Sequence, residues 1–141
     1  MHPTGEMAVW IWRHGVLIEA TRQPNMVVDA ARAVNALLVS GSFSNNAVTQ
    51  IGFGSTATPP AAGNTGLSVD AYVKAVDLIT YQAPNRIAFS ISLGTGEANG
   101  LALSEYGLLT GNGALYARLV RGAPLTKDAS VSLSAVWTIT F

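Results

Sequence analysis

The sequence contains no cysteine and few charged residues, and both shortages limit what the protein can do. Without cysteine there is no disulfide framework and no thiolate metal site. Charged residues make up 11% of the 141-residue chain, whereas soluble domains average roughly 25%. A free monomer normally keeps charge on its surface for solubility. The shortage therefore favours a protein that other subunits largely cover over a monomer with a polar, uncharged surface.

The charges that are present give no sign of a nucleic-acid or membrane partner. Eight basic and eight acidic residues leave a net charge of zero, so no long-range field attracts polyanions or anionic lipid. The basic residues are dispersed, and no segment reaches the ~20 apolar residues that span a bilayer. The N-terminal residues 1–6 lack the basic start and apolar run of a secretory signal. We expect synthesis in the cytoplasm and no contact with membrane.

The residues that usually carry chemistry are too few or badly spaced. His2 and His14 are the only histidines, and neither has ligand-spaced partners for zinc, which needs three or four protein ligands. A phosphate loop starting at Gly94 would need glycine at position 99, where Asn99 stands. An Asn-Gly turn at this point is the simpler interpretation. The sequence predicts no metal, no cofactor and no catalytic residue, and hence no enzyme.

Alternating apolar and small polar residues predict several strands. The clearest run along 87–93 and 131–141, where one face is apolar and the other mostly serine and threonine. Residues 9–13 and 16–21 predict an N-terminal hairpin turning at His14-Gly15. Residues 72–81 alternate imperfectly, which predicts a strand with one irregularity.

One segment has helical periodicity. Its apolar positions recur at helical spacing and are Val27, Ala30, Ala31, Val34, Leu37 and Leu38. Asn25 is the predicted N-cap and Gly41 the predicted C-terminal stop. Together these patterns predict a mostly β protein: a single-domain antiparallel β-sandwich over residues 1–141 with one α-helix (about residues 25–40) packed against it. The parts are the N-terminal hairpin at 8–21, the helix at 25–40 and the main sheets at 47–141.

Two carboxylates, Glu97 and Glu105, lie in the most informative part of the chain, and neither is predicted to be catalytic. If the hairpin after Glu105 is centred between Gly111 and Asn112, Glu105 lies directly opposite Arg118, and the two form a structural cross-strand pair worth about 0.2–1 kcal/mol. A two-residue turn at Asn112-Gly113 would instead pair Gly107 with Arg118. Both registers stay open at this point.

Candidate subunit contacts are aromatic residues at strand ends and a loop that carries no charge. Core and interface are the common roles of such aromatics, and the loop around 55–66 holds two prolines, two glycines and no charged side chain. The predicted contacts are Trp10, Trp12, Thr58, Pro59, Pro60, Trp137 and Phe141.

The order of motifs in the last third resembles a known group of proteins. It runs from a Gly-Glu-Ala-Asn-Gly-like turn through an acidic-x-Gly-Leu strand and a short hairpin to a terminal Trp-Thr-Ile strand, at residues 94–100, 103–108, 110–118 and 136–141. This order resembles the small β-rich structural proteins of tailed-bacteriophage tails, in the tail-fibre and baseplate-accessory group. The resemblance extends back through the strand and loop at 47–67, although the last third carries its specific part.

The resemblance implies a virion structural protein in the tail, at the base of a tail fibre or in the baseplate. It implies assembly by protein–protein contacts, as a homo-oligomer with a trimer as the first expectation, in the company of other virion proteins. The alternative is a capsid decoration or head-fibre base protein. A third hypothesis is a glycan-binding module or glycan-degrading enzyme acting on a host receptor, which would need exposed coplanar aromatics or a carboxylate pair in a groove.

Overall fold

The computed structural model describes residues 2–141. Within them the chain forms nine strands and one helix: β1 (Thr4–Arg13), β2 (Val16–Val27), α1 (Ala30–Val39), β3 (Val48–Gly54), β4 (Tyr72–Ala75), β5 (Leu78–Gln82), β6 (Arg86–Leu93), β7 (Ala102–Thr110), β8 (Leu115–Thr126) and β9 (Val131–Thr140).

The strands form one antiparallel sheet in the order β4-β3-β7-β8-β2-β1-β9-β6-β5, which curls into a half-barrel. The prediction of a mostly β, antiparallel fold with one helix is therefore confirmed. A sandwich of two separate sheets is not confirmed, because the nine described strands are hydrogen-bonded into one continuous sheet. We call β2, β1, β9, β6 and β5 the β1 half, and β4, β3, β7 and β8 the β7 half.

Backbone hydrogen bonds show how the two halves join at two of their corners. At one corner only Met26 and Val27, at the end of β2, pair with β8. At the other, the backbone N–H of Val76 still donates to Thr49 in the β7 half, while that of Asp77 donates to Ser90 in the β1 half. The irregularity predicted in residues 72–81 is this step from one half to the other.

A single large apolar cluster lies between the halves. The β1 half contributes the alternating residues of β1, β6 and β9, and Trp137 in β9 is fully buried. The β7 half contributes Phe53 and Tyr106, whose rings meet edge to face at 5.9 Å. Strand β9 alternates buried and half-buried along all ten residues, so the period of two in the sequence marks the inner face correctly.

The helix begins later than predicted. Residues 25–27 continue β2, because Asn25 pairs with Gly5 and the next two residues pair with β8. Asn25 is thus not the N-cap; Asp29 holds that position, without a side-chain hydrogen bond. Gly41, at φ 89°, ends the helix as predicted. The N-terminal hairpin is correspondingly longer than 8–21, spanning β1 and β2 with a bulge near Trp12.

The long loop between β3 and β4 covers the outer face of the β7 half. Gly52 and Gly107 are neighbours on that face, and a Cβ on either would collide with the side chain of Leu67. The bare strip that they leave lets Leu67 rest on the sheet, beside a small cluster that includes Leu109 and Leu115. The loop is therefore a packed layer of the fold.

Side chains bridge the gap where β2 and β8 separate. Arg121 on β8 donates two parallel hydrogen bonds of 2.9 Å to the carboxylate of Glu19 on β2, and a third of 2.9 Å to the hydroxyl of Tyr106. The Nε2 of Gln23 on β2 also donates to the backbone carbonyl of Val120, at 3.1 Å. Backbone pairing between β2 and β8 is limited to two residues of β2. The contact between Arg121 and Glu19, which we call the seam contact, therefore holds the two strands together beyond that point.

We expect Glu19→Gln to lower the free energy of unfolding by about 2 kcal/mol, since it removes the counter-ion of a guanidinium that is 9% exposed. The matched control is Glu6→Gln on β1, whose partner Arg22 is 68% exposed; this variant should lose less than about 0.5 kcal/mol. Urea unfolding followed by tryptophan fluorescence measures both. Equal losses would show that the seam contact is not special.

Candidate functional site

The outer face of the β1 half presents two tryptophans on one strand. Trp10 and Trp12 lie two residues apart on β1, so both point away from the core, and both are half-buried. Their partners on β9 are Ser134 and Ser132. Their partners on β2 are Ala20 and Leu17, so the two aromatic rings stand among uncharged side chains, which suits contact with another protein surface.

The other two predicted aromatic contacts differ from each other. Trp137 is 0% exposed and lies on the inner face with Leu133 and Ile139. Its selection as a subunit contact is wrong, because no part of its side chain reaches the surface. Phe141, directly after β9, is 36% exposed and remains accessible to a partner.

The predicted loop contacts lie at the surface. Thr58, Pro59 and Pro60 are all exposed, while the residues on either side are anchored. On one side the backbone N–H of Thr56 donates to Glu105, and on the other Asn64 contacts Arg118. The three residues form an uncharged tip held at both ends.

The sequence did not indicate that strand β5 is exposed along its whole length. All five of its residues are exposed, including Leu78 at 60%, Ile79 at 45% and Tyr81 at 67%. Among residues 2–141 it pairs only with β6, and its other edge is free. Its imperfect alternation gave no sign of a missing partner, because exposure depends on where the sheet ends.

An apolar groove of about 210 Å³ opens beside β5. It lies between the inner face of the β1 half and the helix side of the β7 half, and its lining includes Leu38, Val48, Ile79, Phe89, Ile139 and Phe141. The hydroxyl of Tyr116 in the lining is already bonded to Asn35, at 3.0 Å. With so few free polar groups, the groove suits apolar side chains.

Glu105 and Arg118 meet, but not in the register centred between Gly111 and Asn112. Arg118 pairs with Gly107, which confirms the alternative pairing, and Glu105 pairs with Val120; a bulge between Leu108 and Leu109 separates this ladder from the turn. The Nε of Arg118 nevertheless donates to Glu105 at 2.8 Å along the diagonal. Both side chains are almost completely buried, at 0% and 3% exposure.

This buried pair clamps the β3–β4 loop onto the sheet. One carboxylate oxygen of Glu105 also accepts the backbone N–H groups of Thr56, at 3.1 Å, and Ser68, at 2.9 Å. Arg118 reaches the carbonyl of Thr56 and the side chain of Asn64. Room for the carboxylate exists because Gly54 has no Cβ, which would lie 2.8 Å from Cδ of Glu105. The two glycines at positions 52 and 54 are visible in the sequence, but only the structure shows that Gly52 makes room for Leu67 and Gly54 for Glu105.

Glu97 belongs to a second polar cluster, at the end of the half-barrel near β4. Its carboxylate accepts the backbone N–H of Gly94 at 2.9 Å, the ammonium of Lys74 at 3.0 Å and the hydroxyl of Tyr72 at 2.9 Å. The Gly94 and Lys74 contacts, in that order, lower the pKa of Glu97 to about 2, against the opposing effect of burial. Nearby, Lys127 is fully buried among oxygen acceptors, and burial lowers its pKa.

The stability contributed by Glu97 should depend on pH. Its folded pKa of about 2 lies below the ordinary value of 4.5, so this contribution is complete above pH 4.5 and is lost as the pH falls towards 2. We expect Glu97→Gln to be destabilising at pH 7, and the difference from the wild type to shrink over that window. Urea titrations at stepped pH measure this difference. Stability curves that run parallel from pH 7 to pH 2 would contradict the assignment.

The two carboxylates do not form a pair in an open groove. Glu105 is enclosed by its three donors, and Glu97 is held in a different cluster. Among residues 2–141 no three histidine, cysteine or acidic side chains are placed to hold a metal ion. Within the same residues no helix has the length and apolar character to span a membrane.

Comparison with known proteins found no match: no family model, no curated protein and no solved structure resembles the chain significantly. A functional proposal must therefore come from the sequence motifs and from the surfaces and clusters described above.

Proposed function

We propose that the chain is a structural component of a tailed-bacteriophage virion, placed in the tail at the base of a tail fibre or in the baseplate, and that it acts by protein–protein assembly. The motif order of the last third supports the phage assignment. The observation that carries the assembly role is a surface poor in charge that exposes an apolar strand edge at β5.

The distribution of charge strengthens this argument. Nearly half of the sixteen charged residues lie in buried or partly buried contacts and so do little to keep the surface soluble: Glu19, Lys74, Glu97, Glu105, Arg118, Arg121 and Lys127. The remaining surface is thus even less charged than the composition suggests. Such a surface is typical of a subunit that is covered in its working state.

The same surfaces suit a capsid decoration or head-fibre base protein, and copy number separates the two locations. In purified particles, a few to a few dozen copies relative to the major capsid protein would support the tail, whereas hundreds would support the head. Immunogold labelling locates the protein directly. Its absence from purified particles would contradict both virion hypotheses.

We further propose that the two halves act as the layers of a β-sandwich, since both bury side chains in one cluster. The resemblance implies a trimer of such subunits, together with other virion proteins. Native mass spectrometry of the purified chain tests the trimer.

A further inference from the structure

We propose that β5 is a self-association edge, at which a second copy of this chain adds its own β5 in antiparallel orientation about Thr80. The proposal refines the assembly role by naming one contact. It is tested on the isolated chain, so its failure would leave the virion location untouched.

The two terminal strands of the sheet, β4 and β5, differ in charge and in exposed apolar side chains. Natural proteins protect free edges with short strands and charged residues, especially lysine. Strand β4 has four residues and carries Lys74, which is held by Glu97. Strand β5 has five residues with no charge and no proline, and it exposes three large apolar side chains. Of the two terminal strands of the sheet, only β5 lacks a charged residue, which indicates that its edge is covered in the working state.

The β5 sequence is compatible with itself. In an antiparallel pair centred on Thr80, Ile79 lies opposite Tyr81 of the second copy, and Leu78 lies opposite its Gln82. The two Thr80 residues face each other, and threonine pairs are favourable across strands. No like charges meet, because residues 78–82 contain none. A second copy of this uncharged strand therefore matches the edge without placing a charge beside its apolar side chains.

The apolar groove fits the same occupant. Ile79 lines the groove and faces inward with Phe89, its partner on β6. Residues directly opposite across a ladder point to the same face, so Tyr81 of the second copy would also point inward, next to Ile79 at the mouth of the groove. One contact then covers both the free edge and the groove.

The area that a stable dimer must bury shows that more than strand β5 takes part in the contact. A stable interface buries about 800 Å² on each partner, more than a single five-residue strand supplies. The contact therefore has to include the rim of the groove, where Phe141 is 36% exposed and Leu38, on α1, is half-buried. A strand pair of this kind is two-fold symmetric, so it predicts a dimer in place of the trimer that the resemblance implies.

A charge-swap experiment at the symmetry axis tests the proposal. Sedimentation velocity of the wild-type chain over micromolar to millimolar concentrations should show a monomer–dimer equilibrium. Thr80→Lys and Thr80→Glu each place like charges directly opposite one another, and each should raise the dissociation constant about tenfold. An equimolar mixture of the two variants should dimerise again, because lysine then faces glutamate.

The matched control is Val73→Lys on the β4 edge, where the exposure of 44% is close to that of Ile79; it should dimerise like the wild type. Circular dichroism establishes that all variants are folded. A monomeric wild-type chain at millimolar concentration, full dimerisation by either single Thr80 variant, or no association in the mixture would each overturn the proposal.

Discussion

Replacing Arg118 with methionine should lower the free energy of unfolding by about 3–5 kcal/mol, one of the largest effects of any single change in this chain. The carboxylate of Glu105 would stay 0% exposed and lose its only charged partner among the described residues. Breaking a buried ion pair from one side costs this much because the remaining charge has neither water nor a counter-ion. Urea unfolding followed by tryptophan fluorescence gives the value.

The control for this prediction removes the second charge as well. In the double variant Glu105→Met with Arg118→Met no uncompensated charge remains, so it should be more stable than Arg118→Met alone. It should not reach the wild type, because the N–H groups of Thr56 and Ser68 lose their acceptor. A single Arg118→Met variant within 1 kcal/mol of the wild type, roughly the average for any substitution, would contradict the clamp.

Replacing Trp137 with alanine should cost about 3–5 kcal/mol, since it empties the largest fully buried side-chain volume in the core. Trp137→Phe should cost only about 1–2 kcal/mol. The indole Nε1 has no hydrogen-bond partner among residues 2–141, so phenylalanine removes an unpaired donor while keeping most of the volume.

Trp12→Ala is the control for this second prediction, because Trp12 is half-buried on the opposite face. It should cost clearly less than Trp137→Ala in the same unfolding experiment. If the two alanine variants were equally unstable, the assignment of Trp137 to the core and Trp12 to the surface would be contradicted.

Sequence patterns correctly predicted the features that depend on neighbouring residues alone, namely two strands and the end of the helix. The alternation in β6 and β9 identified two strands and their inner faces, because one face of each is buried. The same pattern put Trp137 on the inner face with Leu133, so its selection as a surface contact conflicted with evidence already in the sequence. Gly41 ended the helix because a positive φ there needs no long-range partner.

Long-range pairing decided the rest. Asparagine is a common N-cap residue, but Asn25 continues β2 because it pairs with Gly5 on β1 and the next residue, Met26, pairs with β8. The contact between Glu105 and Arg118 was predicted from the hairpin, and the alternative turn at Asn112-Gly113 gave the observed pairing of Gly107 with Arg118. No local signal marked the bulge between Leu108 and Leu109. Glu19 and Arg121 are 102 residues apart, and only the curl of the sheet brings them together.

The position of β9 has a consequence for biosynthesis. It lies between β1 and β6 and pairs along its whole length with β1, from Arg13 opposite Val131 to Thr4 opposite Thr140. During translation the β1–β2 hairpin is synthesised about a hundred residues before β9, its neighbour in the sheet. Until then the edge of β1 that will face β9 has no hydrogen-bonding partner, and non-local pairing of this kind folds slowly. The exposed edge of β1 is therefore open to wrong pairing throughout most of translation.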